Sequence, residues 1–125
     1  IKLVMPEVKS LVCVALNYYT PHQHQEVTET GDRCGKISRY AWGRDYHKVM
    51  HKKLKALSSW LESLHPDIKT RYYADTGPIQ DKVWSEKAGI GWIAKNGNVI
   101  SRSHGSWIFL GEVLTNLELT PDTPH

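Results

Sequence analysis

An α+β fold, with helices packed on a sheet, is predicted for this chain of 125 residues. Short apolar runs rich in β-branched and aromatic residues alternate with longer segments in which apolar residues recur every three or four positions, a pattern typical of strands between helices. The composition agrees, since 40% hydrophobic and 23% charged residues are usual for a globular domain. Because the alternation is loose, an α/β arrangement stays open, and we expect a mixed β-sheet packed by helices in a single domain.

The first predicted strand is the apolar run at residues 11–16, which we expect to be buried on both faces. It contains Cys13, for which we expect a buried, unreactive thiol. Cys34 lies in the polar loop that follows, and two cysteines so far apart predict neither a disulfide framework nor a metal knuckle. His22 and His24 in the same loop lack a third ligand, so we expect no metal site there.

The longest helix is predicted to begin after Asp45, a suitable N-cap, and to end at Pro66. Its apolar residues form one stripe at spacings of three and four: Val49, Met50, Leu54, Leu57, Trp60, Leu61 and Leu64. The opposite face is rich in lysine, which most often marks only a solvated surface but leaves a contact with nucleic acid open. His47 stands at the head of this helix, where the helix dipole disfavours a protonated ring. Taken alone, such a histidine is more often structural than catalytic.

The central stretch joins a strand predicted at residues 70–74 to a helix that should begin at Pro78 and stop at Gly89. Trp92 would then return the chain to the core. Asp75 therefore follows a strand and precedes a helix, which is where ligands tend to bind in open α/β sheets. Its carboxylate could act as an acid or base, although the spacing alone favours a helix cap.

Two further strands are predicted near the C-terminus, at residues 98–101 and 106–110, and the second can extend to residue 119. Residues 120–125 form a polar, proline-rich tail that resembles a linker. No apolar run approaches the length needed to cross a membrane, and we expect a cytoplasmic protein. The net charge of +3 permits an anionic partner without requiring one.

Four segments carry a resemblance to a known family. They are Ser-Arg-Tyr-Ala-Trp-Gly-Arg-Asp-Tyr-His at 38–47, Tyr-Tyr-Ala-Asp-Thr-Gly-Pro at 72–78, Glu-Lys-Ala-Gly-Ile-Gly-Trp-Ile-Ala-Lys-Asn at 86–96 and Gly-Ser-Trp-Ile-Phe-Leu-Gly-Glu at 105–112. In order and spacing they resemble epoxyqueuosine reductase, over essentially the whole chain. That family uses cobalamin and iron–sulfur clusters to make queuosine, the modified base at the wobble position of certain tRNAs. The resemblance implies a cobalamin-binding catalytic core, tRNA carrying epoxyqueuosine as the partner, and a monomer.

The resemblance also implies site residues. The reaction removes the epoxide oxygen, and the proton donor of the family falls on Asp75, while His47 matches a histidine near the active site. Cobalamin contacts fall on Ser38, Asp75, Val99 and Leu110, and substrate contacts fall on Gln80, Asp81 and Lys82. Some relatives have Cys in place of Ser38. Others have Arg in place of Lys82, and lysine keeps that charge but loses the bidentate geometry.

The domain organisation implied by the resemblance is a cobalamin-binding core at residues 1–119 and the start of a linker at residues 120–125. Because the chain opens with Ile, we expect its N-terminus to be a cut. The ferredoxin-like domain of the family, with two [4Fe–4S] clusters, should begin just after His125, so this chain should bind no cluster and be inactive alone. Two alternatives stay open: a related cobalamin-dependent reductase such as a dehalogenase, and a non-catalytic nucleic-acid-binding module that uses the lysine face.

Overall fold

The computed structural model describes residues 1–24 and 29–124, so part of the predicted polar loop lies outside the described residues. Along the described chain run a strand β1 (Ser10–Asn17), a 3-10 turn (Arg39–Ala41), a helix α1 (Tyr46–Leu64), a strand β2 (Thr70–Tyr73), a helix α2 (Asp81–Lys87) and the strands β3 (Trp92–Ile93), β4 (Val99–Ile100) and β5 (Ile108–Thr115). Each predicted strand and helix is present, with bounds shifted by a few residues.

Three strands form the main sheet, in the order β1-β5-β2. The central strand β5 is antiparallel to both neighbours, with Ser10 of β1 opposite Thr115 and Tyr73 of β2 opposite Glu112. The strands β3 and β4 form a separate antiparallel hairpin. The α+β class is confirmed. The mixed sheet that we expected is not found, since all pairs of named strands in the described part of the chain are antiparallel.

The most deeply buried strand is β5, whose last five residues are all buried. It lies between two strands and has a helix on each face, which shields its last five residues from solvent, whereas the first three are half-buried. The strand β1 forms an edge, and its residues are half-buried or exposed. Our prediction of a first strand buried on both faces is therefore wrong. Only one face of β1 meets the main core, through Val12, Val14 and Leu16.

The helix α1 covers one face of the sheet. Asp45 caps it as predicted, since its carboxylate accepts the backbone N–H of His47 at 3.0 Å. The helix ends at Leu64, just before Pro66. The predicted apolar stripe is too long at this end, because Trp60 and Leu64 are 58% and 54% exposed. The sheet beneath the last turn of α1 is only the short edge strand β2, which leaves these side chains uncovered.

The core between α1 and the sheet centres on five buried residues: Met50, Leu54, Leu61, Ala74 and Val113. Gly111 of β5 has no side chain, which allows α1 to pack close to the sheet. A Cβ atom at this position would lie 2.8 Å from Cε of Met50 and 3.0 Å from Cδ1 of Leu54. These distances are shorter than normal carbon contacts, so a larger residue here would force the side-chain ends of Met50 and Leu54 to shift within the core.

The helix α2 covers the other face of the sheet, and the β3–β4 hairpin packs against α2. The helix begins at Asp81 and not at Pro78, because the turn after β2 takes up the intervening residues. Gly89 follows the helix with φ +79°, in agreement with the predicted stop. The expected return of Trp92 to the core is wrong, because Trp92 and its neighbour Ile93 are 38% and 37% exposed on the small hairpin.

We predict that Gly111→Ala destabilises the protein by about 1–3 kcal/mol, because the added methyl group overpacks the contact with α1. Urea unfolding followed by circular dichroism measures this change. Gly35→Ala is the matched control, since a Cβ atom there meets nothing within 4 Å. Equal stability of the two variants would show that the side chains around Gly111 shift to accommodate a methyl group at no measurable cost in stability.

Candidate active site

Asp75, two residues after the end of β2, has an unusual backbone conformation. Its φ of +61° is the one positive value at a non-glycine residue in the described chain. Aspartate enters this left-handed region more readily than most residues, but still at a cost. The conformation is stabilised by α2, since the Asp75 backbone N–H donates to Oδ2 of Asp81 at 3.0 Å. The N-cap position of α2 is Gln80, so the interpretation of Asp75 as a helix cap is wrong.

The side chain of Asp75 points to the N-terminus of α1. The hydroxyl of Tyr46 donates to Oδ2 of Asp75 at 2.6 Å. Nε2 of His47 lies 3.4 Å from the same oxygen, and Nδ1 of His47 lies 2.9 Å from Oδ1 of Asp45. The imidazole ring therefore stands between two carboxylates. The structure thus brings together Asp75 and His47, which the sequence placed 28 residues apart on separate elements.

These contacts set the charge state of the site. The hydrogen bond from Tyr46 is the main cause that lowers the pKa of Asp75, with smaller contributions from His47 and Lys82. Burial and the hydrogen bond to Asp75 raise the pKa of Tyr46 to about 12. In the chain as it stands, Asp75 is therefore ionised at neutral pH and Tyr46 keeps its proton. The Asp75 side chain is 63% exposed, so a ligand can reach it.

An open cavity of about 400 Å³ lies beside Tyr46, the hydrogen-bond partner of Asp75. Most of its lining residues are aromatic or aliphatic: Tyr18, Tyr40, Tyr46, Lys82, Asn98, Val99, Ser106, Ile108, Phe109 and Leu110. Polar atoms nevertheless form the larger part of the cavity surface. Phe109 stacks on Tyr46 with ring centroids 4.3 Å apart and an interplanar angle of 7°, and it stacks on Tyr18 at the same separation. Because Tyr46 belongs both to this stacked row and to the hydrogen bond with Asp75, the carboxylate lies at the margin of the cavity.

The remaining predicted site residues divide into those that line the cavity and those that do not. Val99, Leu110 and Lys82 line the cavity, although Nζ of Lys82 donates to the carbonyl oxygen of Gly97 at 2.6 Å. Gln80 and Ser38 are exposed and do not line it. Ser38 begins the 3-10 turn that contains Tyr40, a lining residue. The Asp81 side chain is half-buried and is bonded to the Asp75 backbone.

Sequence reasoning missed Tyr46 and Phe109 as site residues. Tyr46 is adjacent to His47 at the head of a predicted helix, so its proximity to the site could have been found. Phe109 lies in a strand in which Gly111 and Val113 face α1, and this alternation places its ring on the same face, at the end nearest the site. Its stacking with Tyr46 depends on the pairing of distant elements, which the sequence does not show.

Two features are absent from the described residues. No three side chains among His, Cys, Asp and Glu gather in a way that could hold a metal ion. None of the helices formed by these residues is long and apolar enough to span a bilayer.

Comparison with known proteins gives consistent matches. Residues 1–76 match the family described as "Epoxyqueuosine reductase QueG, DUF1730". An epoxyqueuosine reductase from Synechocystis is 60% identical over 126 residues, which cover 100% of this chain and 42% of that protein. The chain therefore spans about two fifths of the length of this curated relative.

Two solved structures are also similar. An epoxyqueuosine reductase in complex with an epoxyqueuosine-modified tRNA-Tyr stem loop is 40% identical, with a TM-score of 0.90 over 99% of this chain and 33% of that chain. The Bacillus subtilis epoxyqueuosine reductase, captured with its aspartate-bearing catalytic loop swung out of the active site, is 37% identical, with a TM-score of 0.87 over 99% and 32% of the two chains.

We predict that Tyr46→Phe raises the pKa of Asp75 toward its ordinary value, because the variant removes the hydrogen bond that most stabilises the carboxylate. Carboxyl-carbon NMR of Asp75 during a pH titration measures the shift. Tyr40→Phe serves as the control, since the ring of Tyr40 contacts Tyr46 edge-on but its hydroxyl makes no bond to Asp75. An unchanged pKa in Tyr46→Phe would show that other groups hold the carboxylate ionised.

Proposed function

Because the chain belongs to the epoxyqueuosine reductase family, we propose that it forms the catalytic core of an oxidoreductase that converts epoxyqueuosine to queuosine at the wobble position of tRNA with the help of cobalamin. One observation carries the proposal. An exposed aspartate, contacted by Tyr46 and His47, stands beside a cavity with an aromatic wall. The tRNA stem loop bound by a relative supports tRNA as the partner.

The residues of the cavity suit a corrin ring. Stacked aromatic rings, with Val99 and Leu110, offer an apolar wall to a flat group, and Asn98, Ser106 and Lys82 offer polar atoms to its amide side chains. A corrin carries its own nitrogen ligands to the metal, so the protein must supply shape and hydrogen bonds. We assign Val99, Leu110, Asp75 and Ser38 to the cobalamin contacts. Bound there, cobalamin would supply the reducing power for removal of the epoxide oxygen.

Asp75 is the proposed proton donor. Removal of the epoxide oxygen generates negative charge on that oxygen, and a positioned acid lowers the barrier. Since Tyr46 lowers the pKa of Asp75 in the free chain, the carboxyl must be covered and desolvated before it can hold a proton at neutral pH. A flat group over the exposed side of Asp75 would have this effect. His47, between Asp45 and Asp75, is placed to return a proton to Asp75 after turnover.

The turn that carries Asp75 and the start of α2 form the proposed substrate side of the site. Gln80 and Lys82 flank Asp81, and Lys82 lines the cavity. We propose that these three residues contact the modified nucleoside. The catalytic loop of a relative has been captured swung out of its active site. We infer the same mobility for the turn around Asp75, because its left-handed residue is held through side chains, by Asp81 at its backbone amide and by Tyr46 and His47 at its carboxylate.

We propose that the iron–sulfur clusters are held by another part of the full-length protein. A [4Fe–4S] cluster is held by cysteine thiolates, and this chain has two cysteines. Burial is the main cause that raises the pKa of Cys13 to about 12, which disfavours a thiolate. We therefore propose that residues 1–119 form the cobalamin-binding core, that residues 120–125 begin a linker, and that the core alone lacks reductase activity. We further propose a cytoplasmic monomer.

We predict that Asp75→Asn in the full-length protein lowers turnover by about 100-fold or more, because an amide cannot donate the required proton with comparable acidity. Cobalamin binding, followed by the absorption spectrum of the cofactor, should persist. Nucleoside mass spectrometry of tRNA carrying epoxyqueuosine measures the product. A wild-type protein without this activity would refute the proposed function, and a fully active variant would refute the role of Asp75.

We predict that Lys82→Ala lowers turnover about tenfold or more, as expected for loss of a charged hydrogen-bonding group at the cavity. The matched control is Lys52→Ala with Lys53→Ala, since both lysines are exposed on α1 and neither lines the cavity. This pair should weaken tRNA binding mildly and only at low salt. Steady-state kinetics at two salt concentrations separate the two effects. A large loss from the α1 pair and none from Lys82 would favour the basic face as the tRNA site.

A further inference from the structure

A second cavity, of about 250 Å³, shares part of its wall with the cavity beside Tyr46. Four aromatic side chains line both cavities: Tyr18, Tyr40, Tyr46 and Phe109. The proposed reaction assigns cobalamin to the first cavity and leaves the second without a ligand. Because the two cavities share these rings, a group bound in the second cavity lies next to the place where the reaction is proposed to occur.

The lining of the second cavity combines aromatic rings with positive charge. Trp42 adds an indole ring to the shared aromatic side chains, and Arg39 and Arg44 add two guanidinium groups. No acidic side chain is among the described residues that line this cavity, and apolar atoms form the larger part of its surface. Aromatic rings that stack on bases, together with arginines that neutralise phosphates, are the groups with which proteins bind single-stranded nucleic acid. The volume is below the range typical of drug-sized ligands, which suits a single base.

The two arginines have different tasks. Nη1 of Arg39 donates to the backbone carbonyl oxygens of Thr20 and His22, at 2.8 and 2.6 Å. The guanidinium of Arg39 also lies over the ring of Trp42, 4.7 Å from its centroid. Arg39 therefore joins the loop after β1 to the 3-10 turn and holds Trp42 in place. Arg44 lines the same cavity and is exposed, so a phosphate can reach it.

The aromatic surface is fixed before a ligand binds. Nε1 of Trp42 donates to the carbonyl oxygen of Ile37 at 2.8 Å, and the ring of His24 meets Trp42 edge-on with centroids 4.9 Å apart. Tyr40, in the 3-10 turn, is 52% exposed. A ring that is already held by its neighbours loses little conformational entropy when a base stacks on it, which favours binding.

We propose that the second cavity binds the base of a nucleotide next to epoxyqueuosine in the single-stranded loop of the tRNA, with Trp42 and Tyr40 against the base and Arg44 against its phosphate. The inference rests on the proposed function, because it takes tRNA carrying epoxyqueuosine as the substrate. Arg39 is a positioning residue that holds Trp42 in the wall of the cavity. A neighbouring base held here would keep the loop open and the modified nucleotide directed to Asp75.

Variants of the full-length protein test the proposal, with a synthetic tRNA stem loop carrying epoxyqueuosine as the probe. Arg44→Ala removes the charge and Arg44→Lys keeps it, while Trp42→Leu removes the aromatic ring and Trp42→Phe keeps one. Lys48→Ala is the control for net charge, because Lys48 is exposed near the same end of α1 and lines neither cavity. Fluorescence anisotropy at several salt concentrations gives the Kd of the stem loop for each variant.

The two contacts should respond differently to salt. We expect Arg44→Ala to weaken binding about tenfold at low salt and to lower the slope of log Kd against log salt by about 1, as for loss of one phosphate contact. Arg44→Lys should keep the wild-type slope. Trp42→Leu should weaken binding about tenfold with the slope unchanged, as for loss of one stacked base, and Trp42→Phe should stay within about threefold of wild type. Lys48→Ala should stay within about twofold.

Removal of a base from the RNA provides the matching half of the test. Two further stem loops each lack one base, on the 5′ or the 3′ side of the modified nucleotide. One of them should bind the wild-type protein about tenfold more weakly than the intact loop, and the same base removal should cost Trp42→Leu less than about twofold. If both loops bind the wild-type protein as tightly as the intact loop does, no neighbouring base is held and the inference is refuted.

The remaining outcomes separate this inference from the proposed function. If wild type converts epoxyqueuosine but Arg44→Ala and Trp42→Leu bind the intact loop normally, the inference is refuted and the proposed function stands. If these variants lose cobalamin, followed by its absorption spectrum, while their Kd for the loop is unchanged, the second cavity belongs to the cofactor and the inference is again refuted. A wild-type protein that does not convert epoxyqueuosine contradicts the proposed function first. If Trp42→Leu does not fold, an unchanged salt slope in Arg44→Ala refutes the inference.

Discussion

The hydrogen bond between the Asp75 backbone amide and the Asp81 carboxylate is the contact on which the site depends. It joins the turn after β2 to the first residue of α2, and it holds an aspartate in a backbone conformation that few non-glycine residues adopt. Together with the hydrogen bond from Tyr46, it holds the carboxylate beside the head of α1. A left-handed residue whose backbone amide is held by a side chain is also a position at which a turn can open.

The sheet positions the two helices that contact Asp75. Successive residues of β5 point to opposite faces, so that Gly111 admits α1 closely while Glu112 points to the opposite face, which α2 covers. The helix α1 thereby brings Tyr46 and His47 to one side of Asp75, and α2 holds the backbone of Asp75 from the other. Tyr46 also stacks on Phe109, so the aromatic wall of the cavity and the hydrogen bond to Asp75 share one side chain. Binding in the cavity and the charge state of Asp75 are therefore coupled through Tyr46.

The sequence predicted the helices and strands well where local signals are strong. Asp45 as a cap, Gly89 as a stop and the strand before Asp75 are all properties of a few adjacent residues. The burial of β1 and Trp92 was wrong, because burial depends on which strand becomes central, and that is decided by distant pairings. The interpretation of Asp75 as a helix cap was also wrong, because its carboxylate accepts a hydrogen bond from Tyr46, which lies on another element. Val99, Leu110 and Lys82 were placed at the cavity by family resemblance, and spacing alone could not have grouped them.

The central claim is that Asp75, ionised in the free chain, becomes a proton donor when the cavity is filled. The most direct test is the pKa of the Asp75 carboxyl in the full-length protein, measured by carboxyl-carbon NMR with and without diamagnetic cob(III)alamin. Our account predicts a pKa below the usual range in the free protein, because Tyr46 stabilises the carboxylate, and a clear rise when the cofactor covers it. A pKa that stays low or falls further in the complex would contradict the account and would exclude Asp75 as the acid at neutral pH.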